Sequence, residues 1–208
     1  IRSTRLANYE VYSDAGIDEE GDIIHLALIV GSEPLSVDEA LSKSDWRGAM
    51  IEELKSIEKN QTWKLMDLSC GKRSIGVKWI FKTKRNPDGT ILKHKARLVA
   101  KGFLQKKGVD FTEVYAPVAR LETICLIIAV ACAKNWFLSA LDVKSAFLHG
   151  LLKEEVYIKQ PPGFIKEGKE QQVYKLERAL YGLRQAPRAW NKRINTFFFK
   201  KGFERCIA

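Results

Sequence analysis

The chain has 208 residues, is 46% hydrophobic and 29% charged, and carries a formal net charge of +10. That is enough apolar material for one sizeable core or two small subdomains, and the positive balance favours a polyanionic partner. Cys70, Cys125, Cys132 and Cys206 form no C-x-x-C pair and the three histidines are scattered, which argues against zinc and for reduced thiols in an intracellular setting. There is no apolar run of membrane-spanning length and no signal peptide. Because residue 1 is Ile rather than Met, the chain reads as a segment of something longer.

The charge is unevenly placed. Residues 1–67 hold 14 acidic and 7 basic side chains, whereas residues 72–107 hold 12 basic and one acidic, Asp88. Residues 1–34 have no clear period and read as a linker with at most one short element. Ser36, with Glu39 three residues on, is a helix-start signal. Ala40, Leu41, Trp46, Met50, Ile51, Leu54 and Ile57 then keep helical spacing, as two helices broken near Ser44 or Gly48. Asn60-Gln61 ends this region, and Trp63 to Leu68 reads as a short strand.

Val77 to Lys84 is predicted as a strand with Lys78, Lys82 and Lys84 on one face by the two-residue period. Asn86-Pro87-Asp88-Gly89 is a strong turn signal. Leu92 to Phe103 returns with Lys93, Lys95, Arg97 and Lys101, again on one face. Both arms thus present cations, a hairpin shaped to lie over phosphates. The same lysines would equally protect a sheet edge from aggregation.

Pro117 suits the first turn of a helix running from Val118 to Lys134. That helix is apolar nearly all round, so a buried position is expected. The apolar run Trp136 to Leu141 then predicts a buried strand with Asp142 at its tip. An unpaired carboxylate in such a place costs several kcal/mol by burial alone, about 3 or more, unless something such as a cation meets it. An aspartate at a strand end also serves as a cap or turn former. Five residues on, Phe147 offers a flat wall beside that point. Lys144 to Leu151 reads as a turn and short helix. Val156 to Ile158 and Val173 to Leu176 read as strands, and Pro187 to Phe199 as a helix ended by Gly202.

Taken in order, these pieces resemble one family. Trp46-Arg47-Gly48-Ala49-Met50 with Glu53-Leu54, Asn60-Gln61-Thr62-Trp63, Val77 to Lys82, and Lys95 to Phe103 stand in its sequence. So do Tyr115-Ala116-Pro117-Val118, Leu141 to Gly150, Gln160-Pro161-Pro162-Gly163-Phe164 and Leu180 to Trp190. The set resembles the reverse transcriptase domain of copia-type LTR retrotransposon Pol polyproteins, over roughly residues 36–205.

The resemblance implies an α+β, right-hand polymerase fold with fingers and a partial palm. Residues 1–35 would be a pre-domain linker, residues 36–115 fingers, and residues 116–208 part of the palm. Asp142 matches the first catalytic, metal-binding aspartate, and Val143 would lend a backbone carbonyl to the metal. Lys82, Lys84 and Arg97 would lie over the incoming triphosphate, with Lys144, Ser145 and Ala146 along it. Phe147 falls at the aromatic gate against a ribose 2′-hydroxyl. Tyr181, Gly182 and Gln185 fall in the segment that packs on the nascent base pair and template. The implied cofactor is Mg²⁺, two ions in the complete parent enzyme, with Mn²⁺ as a substitute. The implied partners are an RNA template with its primer or DNA duplex, deoxynucleoside triphosphates, and the ribonuclease H and integrase parts of the polyprotein, with no membrane. Cytoplasmic virus-like particles are the implied compartment, with product bound for the nucleus and no secretion.

Phosphoryl transfer explains the residue types. It asks for positioning and charge neutralisation, so hard cations, oxygen ligands and phosphate-facing lysines are the needed parts. The family's other two metal carboxylates lie in a Tyr-x-Asp-Asp hairpin, and the sequence contains no Asp-Asp pair. Glu154-Glu155 precedes a strand and is expected to face solvent. The chain alone is therefore expected not to extend a primer. The alternative is a non-catalytic nucleic-acid-binding remnant of a degenerate element.

Overall fold

In the computed structural model, which describes residues 33–204, the first helices form where the capping pattern places them. Helix α1 spans Val37–Ser42 and α2 spans Ser44–Lys59. The Ser36 hydroxyl accepts the Glu39 N–H at 3.1 Å, and Glu39 reaches back to accept the Leu35 N–H at 2.9 Å. Two otherwise orphaned donors are thereby satisfied. The helices break at Lys43, whose backbone is extended.

Strands follow as β1 (Trp63–Met66), β2 (Ser74–Ile75), β3 (Val77–Arg85), β4 (Ile91–Ala100), β5 (Leu151–Ile158) and β6 (Val173–Arg178). Four of them make a sheet in the order β1-β6-β5-β2, antiparallel except for the β2–β5 pair. Strands β3 and β4 make a separate antiparallel hairpin. Its turn closes as the sequence predicts: the Gly89 N–H donates to the Asn86 carbonyl at 2.9 Å, with Gly89 at φ 86.

The core lies between α2, the inner face of the hairpin and the four-stranded sheet. It gathers Trp46, Met50 and Ile57 with Trp79 and Leu98, and then Val156, Ile158, Leu176, Leu148 and Leu180. Burying each large apolar side chain is worth about 1.5–3 kcal/mol. Trp79 keeps its polar edge satisfied by donating from Nε1 to the Pro162 carbonyl at 3.0 Å.

Helix α4 spans Ala186–Lys200 and has Pro187 in its first turn. It is followed by Gly202 at φ 83. The chain is thus a mixed α and β fold, as expected.

Three expectations fail in the segment between the hairpin and β5. Helix α3 spans Leu121–Ala133, so Pro117 lies outside it. Far from buried, α3 exposes Leu121, Ile124, Leu126, Ile127, Ile128 and Val130, and only its Ala131 is buried. Residues 136–143 form no strand, and Phe137 is 92% exposed. A strand exists only as part of a ladder, and among the described residues none lies beside this run to pair its N–H and C=O groups. The sheet and hairpin already bury their apolar faces against other elements, so among the described residues no layer covers α3. The linker expected over residues 1–34 falls almost wholly outside the described residues.

Candidate active site

Helix α2 carries the site on the same face that packs the core. Positions 46, 49, 50, 53 and 57 share one helical stripe, and Glu53 is the one charge in it. Its carboxylate accepts the Leu98 N–H of β4, while Oε1 is buried with no partner among the described residues. Burial pushes the Glu53 carboxyl above its ordinary value. The Leu98 N–H, Arg97 and Lys95 oppose that shift. One turn on, the Ser56 hydroxyl lies 3.3 Å from that of Ser145. One helix thus ties the hairpin to the stretch containing Asp142.

Within that stretch Ser145 adopts a left-handed backbone, φ 55 and ψ 40. A residue other than Gly held there marks a segment fixed by its surroundings. A 3₁₀ turn follows over Ala146–His149. Leu148 is fully buried in the core and anchors the turn. Phe147 is half-buried and meets Tyr181, ring centres 5.0 Å apart and planes at 55°. The Arg97 guanidinium sits 5.1 Å from the centre of the same Tyr181 ring. Burial raises the Tyr181 phenol above its usual value; Arg97 opposes this, and the negative charges of Glu53 and Asp142 add to it. Asp142, although exposed and outside any strand, is therefore close enough for its charge to be felt at that ring. Arg97, Phe147 and Tyr181 come together.

The Leu180–Gln185 turn is held by backbone contact. The Ala100 N–H donates to the Tyr181 carbonyl at 2.8 Å. Gly182 has φ 88, and a Cβ there would collide with the Ala100 carbonyl. Gln185 is 3% exposed, accepts from Gln105 Nε2 at 2.9 Å and donates to the Asp110 carbonyl at 2.9 Å. Both ends of its amide are used inside the protein, which ties the turn to Gln105 and Asp110. Arg73 and the Lys106 N–H hold the Asp110 carboxylate in the same network.

The basic face of the hairpin is real. Lys82 stands opposite Lys95, Lys84 opposite Lys93, and Ile80 opposite Arg97. Arg97 is at the site, but Lys84 lies four residues further along, about 14 Å at the strand rise. Lys144 is exposed, and its charge reaches Glu52. Val143 is 40% exposed, and Ala146 is half-buried in the 3₁₀ turn.

Glu53, Ser56 and Gln105, the partner of Gln185, were not among the expected site residues. Glu53 had a signal, a charge in the middle of an apolar helical stripe; Gln105 had none. For a divalent cation, Asp142 offers one carboxylate and the carbonyl of Val143 a second oxygen. These suit a hard ion that keeps several waters. Among the described residues no group of three or more His, Cys, Asp or Glu side chains is placed to hold a metal.

An aromatic pair and a cationic hairpin thus converge from distant parts of the chain. Residues 60–208 match the family model for reverse transcriptase (RNA-dependent DNA polymerase), and the chain belongs to that family. Its relatives carry the identification one step further. It is 47% identical over 168 residues, 79% of this chain, to the retrovirus-related Pol polyprotein from transposon TNT 1-94 of Nicotiana tabacum. It is 40% identical over 184 residues, 88% of this chain, to that from transposon RE1 of Arabidopsis thaliana. It is 33% identical over 130 residues, 62% of this chain, to the truncated transposon Ty1-A Gag-Pol polyprotein of Saccharomyces cerevisiae, of which it covers 10%. These relatives bear out the copia-type resemblance. The chain spans 13% of the length of each of the two plant polyproteins. No solved structure matches it.

Proposed function

We propose that this chain forms the incoming-nucleotide side of an RNA-directed DNA polymerase, within the Pol polyprotein of a copia-type retrotransposon. The observation that carries the reading is the convergence of Arg97, Phe147 and Tyr181 from three separate parts of the sequence.

In this reading α2 and β3–β4 belong to the fingers, and the 141–150 segment with β5, β6 and α4 to the palm. Asp142, with the Val143 carbonyl, holds Mg²⁺, which neutralises phosphate charge and lowers the pKa of an attacking hydroxyl. Arg97 and Lys82 face the triphosphate, where fixed cations meet charge spreading to the leaving group. Lys144, Ser145 and Ala146 run along the phosphates. Phe147 fills the space beneath C2′, so that a ribose hydroxyl finds no room. Tyr181 and Gly182 present a ring and a flat backbone to the nascent base pair. The remaining metal carboxylates come from other parts of the polyprotein, and the 208 residues alone do not extend a primer.

A second reading, a non-catalytic nucleic-acid-binding remnant, draws on the absence, among the described residues, of a group of three or more side chains placed to hold a metal. Titration with a fluorescent deoxynucleoside triphosphate separates the two. In the proposed function binding requires Mg²⁺, is lost in Asp142→Asn, and discriminates less against ribonucleotides in Phe147→Ala. Binding indifferent to the metal and to both substitutions would leave only the remnant.

A further inference from the structure

We propose that Ser56 of α2 is a positioning residue for the nucleotide site: its hydroxyl pairs with that of Ser145, fixes the left-handed backbone there, and so sets where the arm carrying Asp142 lies. The ligand's identity rests on the proposed nucleotide site; the latch itself stands on the contact between α2 and the arm.

The chain changes character at Ser145. Residues 141–144 are exposed, Ser145, Ala146 and Phe147 are half-buried, and Leu148 is fully buried. Ser145 is therefore where the open arm enters the packed turn. Its backbone, at φ 55 and ψ 40, is disfavoured for a residue with a Cβ and persists only where the surroundings hold it. One hold comes from the turn itself: the Leu148 N–H donates to the Ser145 carbonyl at 3.0 Å. The other is the side chain, whose hydroxyl lies 3.3 Å from that of Ser56.

Helix α2 offers a fixed post for that contact. Ser56 is one residue from Ile57, which is buried in the core. Its carbonyl accepts the Asn60 N–H at 3.1 Å and Asn60 Nδ2 at 2.8 Å. Glu52 is one turn earlier on the same face, and it feels the charge of Lys144 while pairing with Lys93 of β4 at 2.7 Å. Adjacent residues of the arm thus meet residues one turn apart on the helix. The charge contact is exposed and worth little, whereas the hydroxyl contact is partly buried. A hydroxyl both donates and accepts, so either serine can supply the proton.

Loss of the contact would act on one side of the site. Rotation about a single residue swings all that lies beyond it, and Asp142 is three residues from Ser145, up to about 10 Å of chain. Arg97, Phe147 and Tyr181 are held from the hairpin, the buried Leu148 and the 180–185 turn, and they would stay. Removing the Ser56 hydroxyl should therefore weaken the part of nucleotide binding that depends on the metal and spare the part that does not.

The test pairs two readouts on the 208-residue chain. Hydrogen–deuterium exchange follows the 141–148 peptide without any ligand, and mant-dATP titrations are run with Mg²⁺ and with EDTA. Ser56→Ala should speed exchange in 141–148 about fivefold, the worth of one hydrogen bond, and leave β5 and β6 unchanged. Its affinity with Mg²⁺ should fall about fivefold by the same measure, with affinity in EDTA unaltered. The urea midpoint should move little, because Ala gains in helix propensity part of what the lost contact costs. Ser56→Thr, which keeps a hydroxyl, should restore both readouts. Ser145→Gly adopts the left-handed backbone freely but lacks the hydroxyl, so adding Ser56→Ala to it should have no further effect. Wild-type exchange at 141–148 in Ser56→Ala would overturn the latch, as would effects of the two substitutions that simply add. A joint fall of both affinities and the urea midpoint would also overturn it, since that is general loosening. Wild-type binding indifferent to Mg²⁺ would count against the nucleotide site alone, and the exchange readout would still decide the latch.

Discussion

The hairpin with α2 and the stretch from 121 to 143 are both rich in apolar residues, yet they end in opposite states. Trp46, Met50, Trp79 and Leu98 are buried together, whereas Leu121, Leu126, Phe137 and Leu141 face solvent. The difference is one of neighbours, not composition. The first group has a strand pair, a helix and a sheet to close around it, and the second has none of these among the described residues. Arg97, Phe147 and Tyr181 are therefore held together by packed elements, whereas Asp142 sits on the exposed arm.

Substitutions sharpen this contrast. Leu148→Ala, which empties a fully buried position under the 3₁₀ turn, should cost about 3–4 kcal/mol in chemical denaturation. Gly182→Ala should cost about 3 kcal/mol, because a Cβ meets the Ala100 carbonyl in a backbone region that favours glycine. It should also weaken nucleotide binding by displacing Tyr181. Gln185→Leu strands the Asp110 carbonyl and Gln105, at about 1–3 kcal/mol. On the open arm Leu126→Ser should move the unfolding free energy by less than about 0.5 kcal/mol while raising solubility. A large loss at Leu126 would mean that α3 is packed after all.

Glu53 adds a dependence on pH. Its folded-state pKa is raised above the ordinary 4.5. The folded protein therefore holds that proton more tightly than the unfolded chain does. Stability from this group is present at low pH and falls as pH rises above 4.5 through the raised value. Glu53→Gln should remove that fall, so its unfolding temperature should exceed the wild type's at neutral pH and converge with it in acid. Glu155 works in the other direction. Hydrogen bonds and charge from Lys175 and Lys72 hold its carboxyl down to about 2. Its contribution is present above 4.5 and is lost as pH falls towards 2, an effect that Glu155→Gln should abolish in acid unfolding curves.

Much of this was legible in the sequence because it is local. The Ser36 cap, the break between α1 and α2, the Asn86–Gly89 turn and the one-sided lysines each follow from a few adjacent residues. The strand expected at 136–141 failed because a strand requires a neighbour, and hydrophobicity alone supplies none. The burial of Gln185 was invisible for a related reason. Which way an amide points is decided by Gln105 and Asp110, some 75 to 80 residues away. The grouping of Arg97, Phe147 and Tyr181 came from the family's motif order, and no period in the sequence would have brought them together.

The most direct measurement is Mg²⁺-dependent binding of a fluorescent deoxynucleoside triphosphate to the wild type and to Asp142→Asn, Arg97→Gln and Glu155→Gln. If Asp142 and Arg97 share one nucleotide site, the first two substitutions each weaken binding at least about tenfold, close to 1.4 kcal/mol, and Glu155→Gln leaves it unchanged. Equal affinity for all four proteins, with or without the metal, would contradict a nucleotide site at Asp142.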